Sequence, residues 1–155
     1  MGMAYWERAR KVKESIQVYE EAAEARYLEG LELIQRGYSG GGVYLLGYVA
    51  EILLKAAFFR IRGYAIDRTI SAEDRSKEKT GVSKGHDVLE WAKGIVALRR
   101  NLDRDLKDRL MKHAVAIQQN WSEGLRYRDT RPTGQELYEF TTAITWIVMT
   151  RGKLV

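Results

Sequence analysis

The residues with the most chemistry to offer sit in one connection late in the chain. Trp121, Arg126, Tyr127, Arg128 and Arg131 interleave aromatic rings with guanidinium groups over 120–131. Planar cations grip phosphate oxygens in pairs and aromatic faces stack on bases, so the pattern suits single-stranded RNA or a nucleotide. The same residues have a structural reading, with rings packed onto the core and guanidinium groups left in water. Glu51 and Lys55 form a second set. Spaced four apart with the acid first, they can pair along one helix face, either as a structural ion pair or as the polar lining of a binding cleft.

His86 and Asp87 form a third set, with Lys84 beside them. An imidazole exchanges protons near neutral pH and can bond a nucleotide, and Lys84 with His86 would line the same mouth as Arg126. The alternative is capping, with Asp87 favouring the helix dipole. Arg109 and His113, four apart on one face, are close enough to share a phosphate, or His113 is simply a boundary residue beside Ala114. The run Gly40-Gly41-Gly42 invites a phosphate-loop reading, since bare amides at a helix start attract anions. No strand precedes it and no Gly-Lys-Ser/Thr follows at P-loop spacing, so close helix crossing or a flexible entry explains it instead.

Composition narrows the classes. The 155 residues contain no cysteine, which removes disulfides, thiolate nucleophiles and cysteine-ligated metals together. Two histidines leave little for a histidine-rich metal site, so no metal and no cofactor are expected. A net charge of +5 and a pI near 9.4 tilt towards anionic partners, although basic and acidic residues are mixed along the chain. The start, MGMAYWERARK, has no apolar signal-peptide core, and Trp6 stands where myristoylation after Gly2 wants Ser or Thr. A cytoplasmic setting is the expectation.

These groups must be positioned by helices, because alternation of apolar and polar residues is nearly absent and Pro132 is the single proline. The stretch from Tyr38 to Tyr64 is the centre. Between Val43 and Phe59 only Glu51 and Lys55 carry charge, and apolar residues cover the whole helical wheel, as in a bundle core or a membrane span. Each ionised group in mid-membrane costs about 3 kcal/mol, so the buried central helix is expected and a membrane is not. Ahead of it, one long helix is expected from Ala4 to Gln35. Its stripe is Tyr5, Ala9, Val12, Ile16, Tyr19, Ala23, Tyr27, Leu31 and Ile34. Gly30 bends or divides it, Gly37 ends it, and Ser39 caps the central helix.

Residues 64–84 read as an exposed polar loop with one helical turn. A third helix starts near Gly85-His86-Asp87, and a fourth follows Asn101 with Leu102, Leu106, Leu110, Ala114 and Ile117 inward. Thr133 to Glu136 is a capping box opening a fifth helix that runs to about Arg151. The expectation is a single all-α domain over 1–155, an up-and-down bundle of four or five helices with a long N-terminal helix.

Three segments together resemble the HEPN superfamily of small helical bundles. They are Tyr44-Leu45-Leu46-Gly47-Tyr48-Val49-Ala50-Glu51 running to Leu54-Lys55-Ala56, then Gly85-His86-Asp87, then Trp121 with Arg126-Tyr127. The resemblance spans Ala25 to Arg151 and leaves 1–24 as an extension of the first helix. It implies a HEPN-like bundle, commonly a homodimer, that engages nucleotide or RNA beside a minimal nucleotidyltransferase in defence or toxin–antitoxin systems. Arg126 and Arg128 would neutralise phosphate, Tyr127 or Trp121 would stack, and Glu51, Lys55, Lys84 and His86 would line the mouth. Other members are metal-independent ribonucleases with Arg-x(4–6)-His. Here three and eight residues intervene between His113 and Arg109 or Arg104, and ten between Arg75 and His86, so the signature is missing. An endoribonuclease using Arg109, His113 or His86 is the alternative, and a helical dimerisation protein without ligand a second.

Overall fold

The computed structural model describes residues 2–10, 12–78, 87–129 and 131–155. Among these are seven α-helices and no strand, the all-α bundle expected. In chain order they are α1 (Tyr5–Arg10), α2 (Ile16–Gln35), α3 (Ser39–Ile61), α4 (Ala72–Lys77), α5 (Val88–Leu98), α6 (Arg104–Asn120) and α7 (Gly134–Thr150). Single 3₁₀ turns lie at Glu123–Tyr127 and Arg151–Lys153.

α3 is the axis. It is long and apolar enough to cross a membrane by length and composition, and the bundle covers most of it instead. α2, α5 and α7 pack around it, and α6 bridges α5 to α7 on the far side. Leu46, Leu54, Phe58 and Phe59 are fully enclosed, and Phe58 and Phe59 meet Trp91 of α5 at ring separations of 5.3 and 6.2 Å.

The N-terminal region departs from the single helix expected over Ala4–Gln35. Ser15 takes an extended backbone, and its hydroxyl accepts from the Val18 amide at 3.2 Å, capping a fresh start for α2. The break is pinned from outside: the Gln17 amide donates to the Ile66 carbonyl, and the Ile70 amide to the Glu14 carbonyl. The apolar stripe therefore does its burying only from Ile16 onward. Tyr5 and Val12 are 79% and 56% exposed, and α1 buries nothing.

Gly30 neither bends nor divides α2. A Cβ there would lie 2.8 Å from Leu46, and one on Gly42 would lie 2.7 Å from the Gly30 carbonyl oxygen. The two glycines let α2 and α3 cross in backbone contact, which accounts for the last residue of the triple glycine. Ser39 is the first helical residue of α3, not its cap. Tyr38 holds the cap position, and its side chain caps nothing. Gly37 and Gly63, both at positive φ, end α2 and α3.

Elsewhere local signals hold. α4 forms within the expected loop because Ser71 and Asp74 make a capping box, and Thr133 and Glu136 make the one that opens α7. Asp87 is the N-cap of α5, accepting from the Glu90 amide at 3.1 Å, rather than a first-turn residue.

Candidate functional site

The connection from α6 to α7 is fastened by Trp121. Its indole is 2% exposed, and its Nε1–H donates to the Tyr44 carbonyl of α3 at 3.0 Å. Gly47 makes room: a Cβ there would fall 2.0 Å from the indole nitrogen. Tyr48 closes the third side edge-on, at 5.1 Å between centroids. Stacking on a base requires an exposed ring, so Trp121 is the floor of the site and not its stacking platform.

Beside it opens a cleft of about 570 Å³ between the start of α3, the end of α6 and the start of α7. Arg128 and Arg131 line it, as do Gly40 and Glu136. Neither arginine has a partner among the described residues. Gly40 sits in the first turn of α3, where no side chain caps the helix, so backbone donors and the positive end of a 23-residue dipole lie at the cleft wall. Glu136 is already committed, accepting from the Thr133 amide at 2.7 Å. Gln118, also on the wall, accepts the Val88 amide at 3.1 Å and so ties the start of α5 to the cleft. The arrangement can hold an anion, with carboxamides nearby for hydrogen bonding.

Arg126 and Tyr127 do not line this cleft. The Arg126 guanidinium lies over the Tyr127 ring, 4.7 Å from its centroid, and that ring is 78% exposed. Tyr127, and then Tyr44, hold the Arg126 pKa above its ordinary value. From Tyr44 a polar line runs down one side of α3. The Tyr44 and Tyr48 hydroxyls are 3.2 Å apart, and Glu51 follows one turn on. Burial raises the Tyr48 pKa, helped by the bond to Tyr44 and the Glu51 charge and opposed by Arg126. Glu51, its side chain 3% exposed, pairs with Lys55 at 3.2 Å. Lys55 in turn faces the rings of Tyr19 and Trp91 at 5.4 and 5.7 Å.

The structure thus brings Arg126 to Tyr44 and Tyr48, at the start of the polar side of α3 that continues to Glu51 and Lys55. Lys84 and His86 lie outside the described residues. From sequence, Tyr44 and Tyr48 enter only in the resemblance and Glu136 only as a capping residue, and none of them, nor Gln118, carries a site role there. The two tyrosines had a signal, since 44, 48, 51 and 55 continue one helical face at steps of four, three and four.

Arg109 and His113 belong to a different place. The imidazole stacks on Trp146 of α7 at 4.7 Å, and the Arg109 guanidinium lies 5.5 Å from the same ring. Burial lowers the His113 pKa, and the Lys112 and Arg109 charges lower it further. At 1.5 Å per residue, Arg109 stands roughly 13 Å along α6 from Gln118 at the cleft. Among the described residues no cluster of three or more His, Cys, Asp or Glu could hold a metal ion. No family model, curated protein or solved structure matches the chain.

Proposed function

We propose that this chain is a HEPN-like module that binds a nucleotide or RNA in the α3–α6–α7 cleft. It acts in the cytoplasm as a homodimer and as the partner of a minimal nucleotidyltransferase in a defence or toxin–antitoxin setting. The dimer, the partner and the setting rest on the sequence resemblance alone. One observation carries the binding: among the described residues Arg128 and Arg131 stand without partners, in a cleft that also contains the uncapped start of α3. Arg126 and the exposed Tyr127 ring, at the other side of the same 3₁₀ turn, extend the surface for phosphate and base.

Anisotropy of labelled single-stranded RNA, with ATP as competitor, tests this across a salt series. The association constant should fall as salt rises, and removing both Arg128 and Arg131 should flatten the slope by about 1.4. Arg109→Ala should leave it unchanged. Salt-independent binding, or binding indifferent to the cleft arginines, would refute the reading. Cleavage in EDTA that disappears in His113→Ala would favour the endoribonuclease instead. Absence of both binding and cleavage would leave a dimerisation protein without ligand.

A further inference from the structure

The N-terminal arm is formed but unused. α1 buries no residue and makes no extensive packing with another element among the described residues, while Met3, Tyr5, Trp6 and Val12 are 46%, 79%, 55% and 56% exposed. Arg10 and Arg8 lie over Trp6 and Tyr5, at 4.8 and 6.0 Å. Residues 3–13 carry four cations, Arg8, Arg10, Lys11 and Lys13, against Glu7. The helix that follows is the opposite, with five glutamates and one arginine over Ile16–Gln35.

The same chain offers an apolar slot. Where α2 and α7 diverge, two adjoining hollows of about 230 and 250 Å³ share Glu20, Leu53 and Arg151. Their floor is core: Ala23, Val49 and Leu53 are nearly buried, while Leu28 on the rim is 62% exposed. Three ion pairs lie around it, Glu20 with Arg60, Glu29 with Arg26, and Glu32 with Arg36, and the Arg151 guanidinium donates to the Val148 carbonyl. Glu24 lines the slot and has no partner among the described residues.

We propose that two copies of this chain pair by exchanging arms, with Trp6 of each seated in the α2–α7 slot of the other and its arginines facing Glu24. A second copy fits better than a polyanion, because the acidic α2 next to the arm would repel nucleic acid or an anionic membrane. It also fits better than the arm's own slot, since arm and slot share one chain and yet α1 stands clear of it. Exchange is reciprocal, so both arms and both slots are covered around one two-fold axis. The inference shares only the homodimer with the reading above and needs no ligand.

Sedimentation equilibrium of the full chain tests it. The wild type should be a dimer. Deleting residues 2–12 should give a monomer in which α2 to α7 keep their helicity, since α1 buries nothing in its own chain. Trp6→Ala should raise the dimer dissociation constant about tenfold or more. Glu24→Arg should weaken the dimer similarly, and adding Arg8→Glu with Arg10→Glu should restore it. A wild type monomeric at every soluble concentration overturns the proposal, as does a dimer indifferent to the deletion or a Glu24→Arg defect the reversed arm cannot rescue. Arm-dependent pelleting with anionic vesicles or RNA, without a change in oligomeric state, also overturns it. RNA binding at the cleft surviving the deletion would leave the previous reading standing whichever way the dimer falls.

Discussion

Gly47→Ala isolates the contact on which the cleft floor depends. The added carbon would lie 2.0 to 2.2 Å from three atoms of the Trp121 indole, so the ring must move. Overpacking of a filled core costs about 1–3 kcal/mol, and losing the indole bond to the Tyr44 carbonyl adds about 1 kcal/mol. Alanine returns up to about 1 kcal/mol of helix propensity. The net is a loss of about 2 kcal/mol, or roughly 4–8 °C in Tm for a domain of this size. Urea unfolding followed by far-UV dichroism should show a lower midpoint at unchanged m, with a red shift of tryptophan emission in the folded state. In a Trp121→Leu background the obstructing atoms are gone, and Gly47→Ala should become nearly neutral. If Gly47→Ala costs the same in both backgrounds, or less than about 0.5 kcal/mol in the wild type, the account of Trp121 is wrong.

Neighbouring glycines should diverge. Gly42→Ala meets the Gly30 carbonyl oxygen at 2.7 Å and should cost about 1–3 kcal/mol, whereas Gly41→Ala meets only Leu33 at 3.6 Å and should be neutral or stabilising in the same melts. Lys55→Ala removes the ammonium paired with a carboxylate that is 3% exposed and should cost about 3 kcal/mol. Glu51→Leu combined with Lys55→Met should cost less than that single change when both are unfolded in urea. His113 is held below its ordinary 6.5, so the unfolded chain binds its proton first as pH falls. Its contribution is intact above about pH 6.5 and lost as pH drops through the lowered folded value. Thermal melts from pH 8 to 5 should therefore fall less steeply in His113→Phe, and an unchanged slope would count against the buried imidazole.

What could be read from sequence follows how local each cause is. The Thr133–Glu136 box depends on four residues, and α3 announces itself by being apolar all round. Ser15 was hidden because the steps from Val12 to Ile16 keep helical spacing, and only pairing with Ile66 and Ile70 breaks the helix there. Arg126 meeting the polar side of α3 could be anticipated from the face carrying Glu51 and Lys55. The inward turn of Trp121 could not, since an aromatic among arginines looks the same whether it stacks on a base or on the core. Gly47, a costly residue in mid-helix, was the one hint that something large lay against it.

α2 leans on α3 and on little else, joined to α7 by one hydrogen bond, Tyr27 to Thr145 at 3.4 Å. Two helices adjacent in sequence, separated by a three-residue turn, can find each other before distant parts of the chain arrive. The pair should therefore be the first piece to form as the protein leaves the ribosome. α5, α6 and α7 would then close over its bare side as one later event.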